Sequence, residues 1–280
     1  MVGRKIVDKL QLHGDMVCIR GAGDIATGVI QKFARSGFRV FALEIGNPTT
    51  IRRHIALSTA MLTGEMQVED IKAKHVEASL AQMQECWNDG IVPILEDAMG
   101  KTIEKFKPTA VIDAILAKRN VGTHRQMAPI TIALGPGFSA PEDVDIVIET
   151  MRGHQLGRCI MAGQALPNTG IPGEIGGQSD LRVLHARSEG IITPFAEIGE
   201  WVEQGQAIFQ VGKRITVAPF DGVIRGLIAK EMSVPKGLKV ADIDPRRLSK
   251  EEIFSISDKA RNIGGAALEA YFYFMGNHVL

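Results

Sequence analysis

The stretch MVCIRGAGDIATGVIQKFARSGFRVFALE, Met16 to Glu44, decides the fold. Met16 to Ile19 is a short apolar run of strand length that leads into Gly21. From Ile25 the period changes. Ile25, Ala26, Val29, Ile30, Phe33 and Ala34 recur at helical spacing, while Asp24, Gln31, Lys32 and Arg35 fall on the other face. Gly37 suits the residue just past a helix end, and Phe38 to Leu43 reads as a second buried strand. Strand, glycine turn, helix, glycine, strand is a βαβ unit.

The turn GAGDIATG, Gly21 to Gly28, fits G-x-G-x-x-A between a strand and a helix. Gly21 allows the tight turn and Gly23 lets a phosphate approach the main chain. Ala26 permits close helix–strand packing, and Thr27 adds a hydroxyl. The helix N-terminus offers unpaired N–H groups and a positive dipole end to an anion. These residues, with Gly28, predict a site for an anionic, phosphate-bearing ligand. The plainer alternative is a glycine turn that only packs. Asp24 repels a pyrophosphate unless it points away, caps the helix or binds a metal. Glu44, closing the second strand, suits a ribose diol. One of the adjacent Arg52 and Arg53 is free to meet a phosphate.

The alternation of strands and helices continues. Leu80 to Trp87 and Lys101 to Phe106 read as helices. Ile91–Leu95, Ala110–Ile112, Ile130–Leu134 and Asp145–Ile148 read as strands. After Arg187 helical periodicity stops, and short β-rich pieces bounded by Gly or Pro follow. GIITPF (Gly190 to Phe195), leading to Trp201-VEQG, resembles TVAPFDGVI (Thr216 to Ile224), leading to Ser233-VPKG. The pairs Val202/Gly205 and Val234/Gly237 make this an internal repeat. Helical spacing returns from Lys250 to Gly276, with Gly264–Gly265 expected to kink or break the helix. The expectation is an α/β chain. A Rossmann-like, mostly parallel sheet occupies 1–187 and a small hammerhead-like β-rich barrel or sandwich hybrid 188–248. A C-terminal helical segment follows at 249–280.

Composition narrows the function. The 280 residues carry 32 Lys plus Arg against 32 Asp plus Glu, which disfavours a nucleic-acid coat or a polybasic membrane anchor. Apolar runs are too short to span a bilayer, and Met1 to Leu12 has no secretory core, so a cytoplasmic location is expected. Three scattered cysteines make no disulfide framework, and Cys18 and Cys86 read as small buried thiols. No HExxH, GxSxG, Walker A lysine or His/Cys cluster is present, so no metal ligands are expected. The Ala218-PFDGVI segment resembles a biotinyl or lipoyl hammerhead, but no lysine sits at the expected hairpin tip.

Further candidates lie beyond strand ends, where ligands sit in open α/β sheets. Asp113 ends a strand and AILAKRN follows, with Lys118, Arg119 and Asn120 in the loop. LGPGF supplies Gly135 and Gly137. Glu149 ends another strand, before Arg152, His154 and Arg158 in glycine-interrupted loops that suit an anionic, planar ligand. Asn168–Thr169 can bond a ring edge. His154, as general base or donor, and Lys118 are the candidates for a catalytic role. The alternative for each is structural: a capped, exposed loop or a packed histidine. Nothing in the sequence fixes whether a bond is made or broken.

Taken together, VCIRGAGDIATG, the IRR of Ile51–Arg53, DAILAKRN, LGPGF, VIETMRGHQLGR, NTGIPGEIGG and KGLKVADIDPR resemble one family. It is the selenium-dependent molybdenum hydroxylase system protein, an accessory family distantly akin to xanthine dehydrogenase accessory proteins. The resemblance implies an accessory role in maturing a molybdenum hydroxylase partner, with molybdenum cofactor or a nucleotide as the bound group. NAD(P) in an oxidoreductase, and a non-catalytic scaffold for the hydroxylase, are the other readings. Self-association stays open.

Overall fold

The computed structural model describes residues 15–170 and 173–277. Met1 to Leu12, and Ile171–Pro172 within NTGIPGEIGG, lie outside the described residues. The opening βαβ unit consists of β1 (Met16–Arg20), α1 (Asp24–Arg35) and β2 (Arg39–Glu44). Asp24 in the first turn of α1, and Lys32 and Arg35 in the last, complement the helix dipole. Gly37 follows at φ 90, a conformation that costs other residues energy.

Next come α2 (Ala60–Thr63), β3 (Glu65–Val68), β4 (Ile71–His75), α3 (Leu80–Asn88) and β5 (Ile91–Glu96). After α4 (Lys101–Phe106) follow β6 (Ala110–Asp113), β7 (Ile130–Leu134), β8 (Ser139–Ala140), β9 (Ile146–Ile148), β10 (Cys159–Ile160) and β11 (Gly163–Gln164). Nine strands form one sheet in the order β10-β9-β7-β6-β1-β2-β5-β4-β3. It is parallel from β9 to β4, and only the edge strands β10 and β3 run antiparallel. Its central strands are buried almost throughout, as a sheet covered on both faces requires. The protein is thus a mixed α/β molecule with a large, mostly parallel sheet and additional antiparallel sheets.

Besides the two-stranded β8–β11 pair, the antiparallel sheets use β12 (Val183–His185), β13 (Gly190–Pro194), β14 (Trp201–Val202), β15 (Ala207–Val211), β16 (Arg214–Val217), β17 (Gly222–Leu227), β18 (Ser233–Val234) and β19 (Lys239–Asp244). One sheet is ordered β12-β19-β17-β14 and the other β16-β15-β13-β18, around a core that includes Val202, Phe209, Ile224 and Val240. The sequence repeat becomes an interlock. β13 of the first half pairs with β18 of the second, Gly190 opposite Val234, while β14 pairs with β17, Trp201 opposite Val223. Val183–His185 also joins these sheets, pairing with β19. Ile51 also enters this second core, and its carbonyl accepts the Leu227 amide at 2.8 Å.

The C-terminal segment forms α5 (Lys250–Phe254) and α6 (Asp258–Asn277). Ser249 closes a capping box with Glu252 at the start of α5. Gly264–Gly265 do not break α6, and the interruption falls before Asp258. The glycine serves contact: a Cβ on Gly264 would collide with the Gly28 carbonyl, and one on Gly28 with the Ala260 carbonyl. α6 therefore packs at close range on α1, and Ile256, Ala260, Ile263 and Tyr271 complete the core of the parallel sheet. No helix among the described residues is long and apolar enough to cross a membrane.

Candidate functional site

The chain runs from β1 to β2 on one side, then returns through α4 to β6 on the other side of β1. The carboxyl ends of β1 and β6 are therefore a topological switch point, where open α/β sheets leave a crevice. A cleft of about 1340 Å³ opens there. One wall is the parallel sheet with the N-terminal turns of α1 and α6. The other is the sheet containing β17 and β19, which contributes Arg225, Lys239 and Asp242. The volume exceeds the ~300–1,000 Å³ usual for one drug-sized ligand.

The glycine turn is used differently from the dinucleotide expectation. The Gly21 amide donates to the Leu43 carbonyl at 2.7 Å, and the Ala22 amide to Glu44 Oε2 at 2.9 Å. The Ile25 amide donates to Asp24 Oδ1 at 2.8 Å. Two protein carboxylates thus occupy amides that a phosphate was expected to take. Burial pushes the Glu44 carboxyl above its usual range, against the Ile45 and Ala22 amide bonds that favour its charge. Gly21, at φ 95, lies against the Ala114 backbone and is needed for the turn. Gly23 has no such constraint: a Cβ there would meet only Thr50 Oγ1 at 3.5 Å, yet the residue borders the cleft.

Other candidate residues divide cleanly. Asp24, Glu44, Lys118, Glu149, Arg152 and Asn168 line the cleft. Thr27 is buried, donating to the Gly23 carbonyl at 2.8 Å and accepting from the Leu57 amide at 3.0 Å. Gly28 belongs to the helix crossing. Asp113 is buried off the cleft, where it accepts from the Thr123 hydroxyl and the Ile115 amide beside Arg20. Burial raises its carboxyl, and those three groups oppose the rise. Asn120 caps its own turn through the Gly122 and Thr123 amides. Gly135 and Gly137 make room for Thr150 and for the Arg119 backbone. His154 is exposed and outside the cleft lining. Glu149 clamps its loop by accepting the Met151 and Leu166 amides at 2.7 and 2.8 Å.

Charge distinguishes this cleft. Six arginines line it, and each has a carboxylate within ion-pair range. Arg152 makes a bidentate pair with Asp258 at 2.9 and 3.0 Å, and Arg182 and Arg225 share Asp242. Lys118, Lys239 and Lys259 also line it, and none has an ion-pair partner among the described residues. Lys118 and Lys239 are exposed. Even so, the surrounding protein lowers both ammonium groups below the usual lysine range by desolvation. Lys259 is lowered by burial and then by the neighbouring charges of Lys118 and Arg152, opposed by Asp24 and Glu149. Lys118 itself holds a left-handed backbone, φ 63, as does Leu116 at φ 59. That conformation costs roughly 1–2 kcal/mol per residue outside glycine. The Nε atoms of Arg52 and Arg182 are buried without a hydrogen-bond partner, a cost of roughly 1–3 kcal/mol each.

The sequence reading overlooked Arg182, Arg225, Lys239 and Lys259. Lys239 and Asp242 stand in KGLKVADIDPR, and Lys259 follows the first residue of α6, but only the folded sheets bring them to one space. Among the described residues no three His, Cys, Asp or Glu side chains are placed to hold a metal ion. The Cys159 thiol is raised to about 11 by burial, so it is not an ionised nucleophile at neutral pH.

No protein-family model matches the chain. The "Uncharacterized protein YqeB" of Escherichia coli (strain K12) is 44% identical over 260 residues, 93% of this chain and 48% of that protein. The chain therefore spans about half the length of the curated relative it matches. Among solved structures, an aspartoacylase family protein from Mesorhizobium loti is 18% identical, with TM-score 0.25, over 75% of this chain and 57% of that one. A succinylglutamate desuccinylase from Silicibacter sp. TM1040 is 10% identical, with TM-score 0.26, over 82% and 84%. Likenesses at that level lend this chain no activity.

These findings correct the expected membership of the selenium-dependent molybdenum hydroxylase accessory family. No family model supports it, and the curated relative is described only as an uncharacterized protein. The accessory role falls with it, together with the oxidoreductase and hydroxylase-scaffold readings. The general nucleotide-binding label falls as well, since the amides it relied on are bonded to Glu44 and Asp24.

Proposed function

We propose that the cleft binds a small phosphate-bearing molecule. The observation that carries this reading is the contrast between six arginines held in ion pairs and three lysines with no ion-pair partner among the described residues. Lys118 and Lys259, desolvated and near enough to repel, are stabilised by an anion between them. Lysine is a compact point charge suited to phosphate. The strand order around β1 and the switch-point crevice support a Rossmann-like description of the parallel sheet. The interlocked repeat supports a barrel–sandwich hybrid for the antiparallel sheets.

Isothermal titration with pyrophosphate and with AMP tests the reading. Binding of at least one probe is expected, weakened about tenfold in Lys118→Ala and in Lys259→Ala. No heat with either probe, or unweakened binding in both variants, overturns it.

A further inference from the structure

Resting on that reading, we infer that the cleft takes an elongated ligand with two anionic ends and a hydrogen-bond donor between them. The cations form two poles. Lys118, in the loop after β6, and Lys259, in the first turn of α6, are close enough to repel one another, with Arg152 beside them. Lys239, on β19, belongs to the opposite wall with Arg182, Arg225 and the Asp242 carboxylate they share. Each pole carries groups that await a partner. The first has its two lysines. The second has Lys239 and the unpartnered Nε of Arg182, a residue only 3% exposed.

Asp24 lines the same cleft and lies near both poles. Its charge acts on Lys259 and on Lys239 alike, and its Oδ2 lies 3.6 Å from Arg52. A phosphate placed over Asp24 meets like charge, so one compact anion does not serve both poles. A ligand that spans them lays a neutral portion against this carboxylate. A hydroxyl or amine there donates to an acceptor that already takes the Ile25 amide through its other oxygen. The volume of about 1340 Å³ leaves room for such a length. The ligand class is a bisphosphate, or a phosphate ester with a distal carboxylate, with hydroxyl or amino groups along its middle.

Titration of the full chain with three probes tests the inference: glucose 6-phosphate, fructose 1,6-bisphosphate and hexane-1,6-diol bisphosphate. The hydroxylated bisphosphate is expected to bind at least about tenfold more tightly than the monophosphate. It is expected to lose about tenfold in Lys118→Ala and again in Lys239→Ala, whereas the monophosphate responds to only one of the two. The diol bisphosphate, lacking central hydroxyls, is expected to bind less tightly, and Asp24→Asn to narrow that gap. Thermal unfolding verifies that each variant is folded, with Lys118→Gln and Lys239→Gln as replacements if an alanine lowers the midpoint. Equal affinity for mono- and bisphosphate, or a monophosphate sensitive to both lysines, overturns the two-pole inference and leaves the proposed function standing. Absence of binding by all three probes, with none by pyrophosphate or AMP, overturns both.

Discussion

At its N-terminus α1 borders an open, charged cleft; one turn further on it lies dry against α6. Gly23 and Gly28 mark the two regions. A side chain at Gly23 would stand in nearly free space, whereas at Gly28 it would enter the Ala260 backbone. Both glycines belong to one fingerprint string, and only the first has no packing reason to be glycine. A motif match therefore mixes positions of different purpose, and the environment of each Cβ separates them. The same division applies to charge. The helix crossing carries its ionic contact at the side, where Arg261 meets Glu69 and Gln31. The cleft holds three ammonium groups with no ion-pair partner among the described residues.

The strongest way to break this comparison is Gly28→Ala. In an exposed helix that change stabilises by up to about 1 kcal/mol. Here overpacking at the crossing is expected to cost about 2 kcal/mol, read as a lower urea midpoint. A stabilised variant would mean that the helices are not in this contact. Next in size, Lys118→Ala and Lys259→Ala together are expected to weaken pyrophosphate or AMP by more than tenfold, about 1.4 kcal/mol, with an unchanged urea midpoint. Gly23→Ala sharpens the contrast with Gly28. Stability should move by less than about 1 kcal/mol, while the same probes bind several-fold more weakly in calorimetry.

The smallest effect concerns Asp258, whose pKa is lowered to about 2, chiefly by its hydrogen bonds to Arg152. A carboxyl lowered in the folded state contributes stability that is present above its ordinary value of 3.8 and lost as pH falls through about 2. The pair is largely exposed, so the contribution is under about 1 kcal/mol. Asp258→Asn should flatten the stability profile between about pH 4 and 2 by that amount, seen in thermal unfolding. An unchanged profile would show that the pair does not persist in solution.

Much of the parallel sheet was legible because its periods are local. The change from strand to helix at Ile25, the exact bounds of Lys101–Phe106 and Ile130–Leu134, and the stop at Gly37 all follow from side chains close in sequence. The β3–β4 hairpin was missed because Glu65, Lys72 and Lys74 mask a short alternation whose buried members are Val68, Ile71 and Ala73. β19 was missed because Asp242 and Asp244 lie inside it. Their charges are tolerated only through Arg182, Arg225 and Arg246, partners that the fold supplies. For the site, Lys118 and Arg152 stood out in their loops, but the facing wall with Lys239 had no local signature. His154 looked chemical in its glycine-rich context, and its outward position depends on the loop that Glu149 clamps.

The α1–α6 crossing also has a consequence for synthesis. The helix that covers Ala26, Val29 and Phe33 leaves the ribosome about 230 residues after them, roughly 10–50 s later at usual elongation rates. Until then the nascent sheet keeps an apolar face open on the side where α6 will lie. The antiparallel sheets cannot close sooner than Val234 either, since β13 waits for β18. Translation thus delivers both fastening segments well after the strands they hold, and the cleft acquires its second wall only once β19 has emerged.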